Sequence, residues 1–135
     1  MIINEDLKLP SLDKSLLNAI ADATEIDSYQ KYSNYGVIKL RNGIAIQYGA
    51  VGTRSYNMNK SYRNAYEYYA DPTSGDFVAG FISAPFVLLT PVASSELPRI
   101  TVQSVTKDKV SWFVSSSFSG TITFDIHYWA IGYWK

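Results

Sequence analysis

The chain has 135 residues, of which 47% are hydrophobic and 18% charged, with 12 basic and 12 acidic residues and no cysteine. That length fits one domain, and a domain of ~150 residues buries roughly 70% of its unfolded surface, so no covalent staple is required. The missing cysteines exclude disulfides and thiolate metal sites, and zero net charge without a basic run argues against nucleic acid as the main partner.

The charge share is below the usual ~25%, which leaves apolar surface for subunit contacts. Eleven tyrosines and three tryptophans suit interfaces and sugar faces, because tyrosine joins a large ring to a hydrogen-bonding tip. Met1 to Asp6 shows no basic segment followed by an apolar run, so no signal peptide is expected and synthesis is expected in a cytoplasm. The longest near-apolar stretch, 77–93, carries two prolines and a glycine. No membrane insertion is expected.

In chain order, residues 1–34 read as a helical neck or linker and residues 35–135 as a β-sandwich domain. Ser11 is placed as an N-cap. Leu12, Leu16, Leu17, Ile20 and Ala23 follow at helical spacing, so a short N-terminal helix is expected. Leu12, Leu16, Ala19, Ala23 and Ile26 also fit a short coiled-coil seam. Such a helix is marginal alone and must pack on its own sandwich or on copies of itself.

From Tyr35 the period becomes two. Val37 to Leu40 and Ile44 to Gly49 flank Asn42-Gly43, a strong hairpin signal. Ile44, Ile46 and Tyr48 would share one face, and Ala45 and Gln47 the other. Residues 52–76 break the pattern: a polar, tyrosine-rich stretch too long for an ordinary connection. Strands are expected again over 77–82, 85–92, 99–105, 110–115 and 121–133. That makes six or seven short antiparallel strands, an all-β sandwich. In the last strand Ile122, Phe124, Ile126, Tyr128 and Ala130 would face the core, with Asp125, His127 and Trp129 on the outer face. Trp112, alternating with valines, reads as core; Trp134 reads as a lid on the sandwich base or a subunit contact.

The order of these pieces resembles the C-terminal tip domains of bacteriophage tail fibres, which share the sandwich of the H-type lectins. The resemblance rests on Asn42 to Gly49, on Ile82 to Pro91, on Val102 to Trp112, and on the ending Tyr128-Trp129-Ala130-Ile131-Gly132-Tyr133-Trp134-Lys135. It covers residues 35–135 and implies a homotrimer at the distal end of a phage tail in the virion. It also implies a receptor-binding protein that recognises a bacterial surface glycan during host adsorption, with other tail or baseplate proteins as further partners.

Catalysis is not expected. His127 is the only histidine, and although Asp125 shares its strand face, polar residues on an outer face or at a trimer contact explain the pair without chemistry. No paired-carboxylate signal for glycoside cleavage stands out. No metal site and no cofactor is expected, because a single histidine without cysteine leaves only scattered oxygen ligands. Sugar binding needs an aromatic platform beside hydroxyl-recognising groups. Tyr56, Tyr62, Arg63, Tyr66, Tyr68, Tyr69 and Asp71 supply these in the loop, and Asp125, His127 and Trp129 form a second candidate patch. The same tyrosines would equally pack on the sandwich or on a neighbouring subunit. The expected function is therefore a non-catalytic, glycan-binding tip, with a structural trimerisation or baseplate-attachment module as the alternative.

Overall fold

The structure, a computed structural model, describes residues 25–61 and 66–135. The described residues form β-strands and their connections, in the order β1 (Ile26–Lys31), β2 (Tyr35–Leu40), β3 (Ile44–Ala50), β4 (Arg54–Met58), β5 (Lys60–Ser61), β6 (Tyr68–Tyr69), β7 (Thr73–Asp76), β8 (Phe86–Val92), β9 (Arg99–Val105), β10 (Lys109–Ser116) and β11 (Gly120–Tyr133). The expected neck helix lies outside the described residues.

Two antiparallel sheets result. The larger runs β1-β2-β3-β11-β4, with β8 on the other edge of β11; the smaller runs β5-β6-β10-β7, with β9 paired to β10. Strand β11 is the spine. Its first part pairs with β4 from Gly120↔Met58 to Phe124↔Arg54, and its second with β3 from His127↔Ala50 to Tyr133↔Ile44. β8 lies along its other side from Asp125↔Val92 to Ile131↔Phe86. The strand alternates as its sequence does, burying Ile122, Phe124, Ile126 and Ala130.

The sheets pack face to face across Tyr56, Met58, Ile122, Phe124 and Ile126 from one side and Val110, Trp112 and Val114 from the other. A second cluster at the base holds Val37, Ala45, Ala79, Phe81 and Ala130, closed by Trp134. Trp134 Nε1 donates to the Leu40 carbonyl at 3.0 Å and its ring lies beneath the Lys39 and Lys135 ammonium groups. It is a lid on the base.

The Asn42-Gly43 turn is present. Asn42 Oδ1 accepts from the Ile44 amide at 3.0 Å, and Gly43 adopts φ 98°, a value for which glycine carries no Cβ penalty. The hairpin it joins buries Ala45 and Gln47 and leaves Ile44, Ile46 and Tyr48 half-buried on the outer face. Gln47 is tolerated inside because it is fully engaged. Its Nε2 donates to Tyr128 Oη at 2.8 Å, and its Oε1 accepts from the amides of Val78 at 2.9 Å and Ala79 at 3.2 Å.

Those two bonds explain one correction. Residues 77–82, expected as a strand, are irregular, because a side chain takes two of their amides and Gly80 turns the chain at φ 74°. Phe81 and Ala79 plug the base instead of lining a ladder. Residues 52–76 contain the short strands β4 to β7, and β1, from the stretch grouped with the neck, pairs with β2. Among the described residues there are therefore eleven strands in place of six or seven.

Candidate functional site

A groove lies on the outer face of the smaller sheet. Phe113 of β10 forms part of its floor, because Val110, Trp112 and Val114 take the core face and leave Ser111, Phe113 and Ser115 pointing the other way. Tyr69 joins it through the pairing of Ser115 with Tyr69, and the two rings meet edge-on with centroids 6.4 Å apart. On the other side β9 supplies Thr101, opposite Phe113. Glu67, Pro72, Gln103 and Ser115 complete a groove of about 450 Å³. Two ion pairs stand near it, Arg99–Glu67 and Lys60–Asp71; the Asp71 carboxylate holds the Lys60 ammonium above its usual pKa. The lining joins two aromatic rings to hydroxyl, amide and carboxylate groups. That is the chemistry that receives a sugar: a ring face for the apolar C–H face, neutral donors and acceptors for hydroxyls.

A shallower depression of about 310 Å³ lies on the outer face of the larger sheet, lined by Asn34, Tyr48, Gly49, Ala50, His127, Tyr128 and Trp129. His127 Nε2 is 3.7 Å from Asp125 Oδ2, too far for a hydrogen bond. Asp125 Oδ1 instead accepts from the amides of Gly52 at 3.0 Å and Ile126 at 2.7 Å. Its carboxylate thus ties the chain after β3 to β11. Tyr48 shares its hydroxyl with Tyr29 at 2.9 Å, which raises its pKa above the usual value, and its ring leans on Trp129 at 6.0 Å.

The structure sorts the sequence-predicted residues into separate places. Tyr69 lines the groove and Asp71 stands near it, bound to Lys60. Asp125, His127 and Trp129 lie together on the opposite face of the sandwich. Tyr62 and Arg63 lie outside the described residues. Tyr66 is 86% exposed. Tyr68 packs on the core. Tyr56 is a correction: it is buried between the sheets, its ring 4.9 Å from Phe124, so it cannot be a platform for a ligand. Burial raises its phenol pKa, and the nearby Trp112 indole pulls it partly back, although neither Tyr56 Oη nor Trp112 Nε1 has a hydrogen-bond partner of good geometry.

Sequence reasoning did not find Thr101, Gln103, Phe113 and Ser115 as site residues. The one available signal was the second phase of the β10 alternation, where an aromatic, Phe113, stands among serines on the face opposite Trp112. Among the described residues no cluster of three or more acidic or histidine side chains could hold a metal.

No protein-family model matches the chain, and no curated protein matches it in sequence. Two solved structures share its fold. An N-truncated R1-type pyocin tail fibre aligns with TM-score 0.63 and 17% identity, covering 93% of this chain and all of the other. A P. aeruginosa R1 pyocin fibre fragment comprising C-terminal residues 323–701 aligns with the same score and identity over 98% of this chain. The present chain spans 35% of that longer fragment. The fold is thus a two-sheet, all-β fold that also occurs in a pyocin tail fibre.

Proposed function

We propose that this domain is a receptor-binding tip of a phage or phage-like tail fibre, displayed on the virion. In this reading it is non-catalytic and lectin-like, and recognises a bacterial surface glycan. The groove containing Tyr69 and Phe113 carries the reading, since it joins aromatic surface to hydroxyl-recognising groups. The shared fold with pyocin tail fibres supports the setting. Three copies would raise the effective affinity of a weak site by avidity, which suits a probe that tests surfaces before committing.

The test is binding to an array of bacterial surface polysaccharides, with Phe113→Ala and Gln103→Ala beside the parent chain. The parent should bind at least one glycan, and Phe113→Ala should weaken it about tenfold, the value of one lost ring face. Unchanged binding by both variants would remove the groove from the reading. Release of oligosaccharide from a bound polysaccharide would overturn the non-catalytic part. The exposed apolar surface of the larger sheet favours the alternative, a structural module for trimerisation or baseplate attachment. That alternative expects no glycan binding at all.

A further inference from the structure

The outer face of the larger sheet is apolar across five strands. Register partners place Tyr29, Ile38, Ile46, Ile131 and Phe86 side by side in one row. The next row holds Tyr48, Trp129 and Leu88. Among the described residues no element covers either row. Phe86 is 87% exposed, Leu88 69%, Trp129 53% and Tyr29 52%, and Tyr133, one row further on beside Ile44, is 56% exposed. These side chains cannot be the leftovers of a core, because the opposite face of the same strands already fills the core with Val37, Ala45, Gln47 and Ala130.

At about 200 Å² for a large side chain, the exposed fractions on this face amount to roughly 700 Å². A monomer ordinarily exposes a few hundred Å² in one patch, and each partner of a standard interface contributes about 800 Å². The patch is therefore the size of one half of an interface. Its charges stand at its margins: Lys31 opposite Gly36 at the β1 end, and Asp125 and His127 above the two rows. An oppositely charged partner would find nothing to pair with at the centre, whereas a second copy presents the same uncharged rows and nothing there repels it.

We propose that copies of this chain pack against one another through this face, centred on Leu88, Trp129 and Ile131. The Tyr69–Phe113 groove on the other sheet then stays open. This rests on the multi-copy part of the reading above and not on the glycan. It also reassigns Trp129 and His127: Trp129 stands at the centre and His127 at the margin of a subunit contact rather than a sugar site.

Sedimentation equilibrium of the full chain from about 1 to 100 µM tests it. The parent should associate. Leu88→Lys and Phe86→Lys, both at exposed positions where the monomer has room for the new side chain, should each weaken association roughly 100-fold, with an unchanged far-UV circular-dichroism spectrum showing that the fold is kept. Phe113→Lys, on the opposite face, should leave the mass unchanged. An associated parent whose mass ignores both Leu88→Lys and Phe86→Lys would overturn the face while leaving the multi-copy reading standing. A monomeric parent at 100 µM would overturn both. Neither outcome depends on whether the glycan array finds a ligand.

Discussion

Two buried polar side chains on the inner face of the larger sheet behave oppositely. Gln47 has every polar atom engaged, to Tyr128 and to two amides of the 77–80 segment, while Tyr56 has none. Leaving a buried donor or acceptor unpaired costs about 1–3 kcal/mol. Gln47→Leu strands two amides and a phenol, so urea denaturation should show a loss of about 3 kcal/mol or more. Tyr56→Phe removes an unpaired hydroxyl and should be nearly neutral at pH 7. It should matter at alkaline pH. Burial raises the phenol pKa of Tyr56 and of Tyr128 above the ordinary 10. Below pH 10 both folded and unfolded chains keep these protons. As pH rises past 10 the unfolded chain releases them first, so stability is complete below pH 10 and falls as pH climbs through the folded values. Melting temperatures between pH 8 and 11 should decline for the parent chain and decline less steeply for Tyr56→Phe. Equal slopes would show that Tyr56 is not held neutral.

At the scale of strands, pairing is set by where backbones approach. Gly49 sits on β3 at φ 150°, and a Cβ there would lie 2.3 Å from the Asn34 carbonyl oxygen and 2.5 Å from Tyr35 Cα. Both contacts are with backbone or the chain just entering β2, so nothing can swing aside. Gly49→Ala should therefore cost more than about 2 kcal/mol and loosen the β2–β3 hairpin, seen as faster amide exchange across Gly36 to Lys39. The hairpin itself was readable from Asn42-Gly43, and β11 from its uninterrupted alternation over 122–130, since a two-residue period maps directly onto two faces. What defeated the reading was length and partnership. β1, Ile26–Lys31, is exposed at every position, so burial left no periodic trace in it. β5 and β6 have two residues each; they pair with each other, and β6 is held by β10, far along the chain. The groove was hidden for the same reason: Tyr69 and Phe113 meet only because β6 pairs with β10. At 77–82 the apolar run was real, but two of its amides are taken by Gln47 from another strand, which no local pattern records.

At the scale of the whole molecule, the sandwich has two outer faces of opposite character. One is a groove with hydroxyl, amide and carboxylate groups around two rings; the other is a broad apolar sheet. Separate faces allow separate failures, and this makes the division of labour measurable. A single groove contributes few contacts, so one copy should hold a glycan weakly, and tethering several copies converts later encounters into intramolecular ones with effective concentrations that reach mM. Leu88→Lys alters only the apolar face. Its affinity for a soluble single-repeat oligosaccharide, measured by calorimetry on the glycan found by the array, should equal that of the parent chain. Its retention on an immobilised layer of the same polysaccharide should fall by about 100-fold, because only the multivalent term is lost. Phe113→Ala should do the reverse in part: mass unchanged, with solution affinity and surface retention both reduced. If Leu88→Lys lowered the solution affinity as well, the two faces would not be independent, and the groove would depend on a contact made by a neighbouring copy.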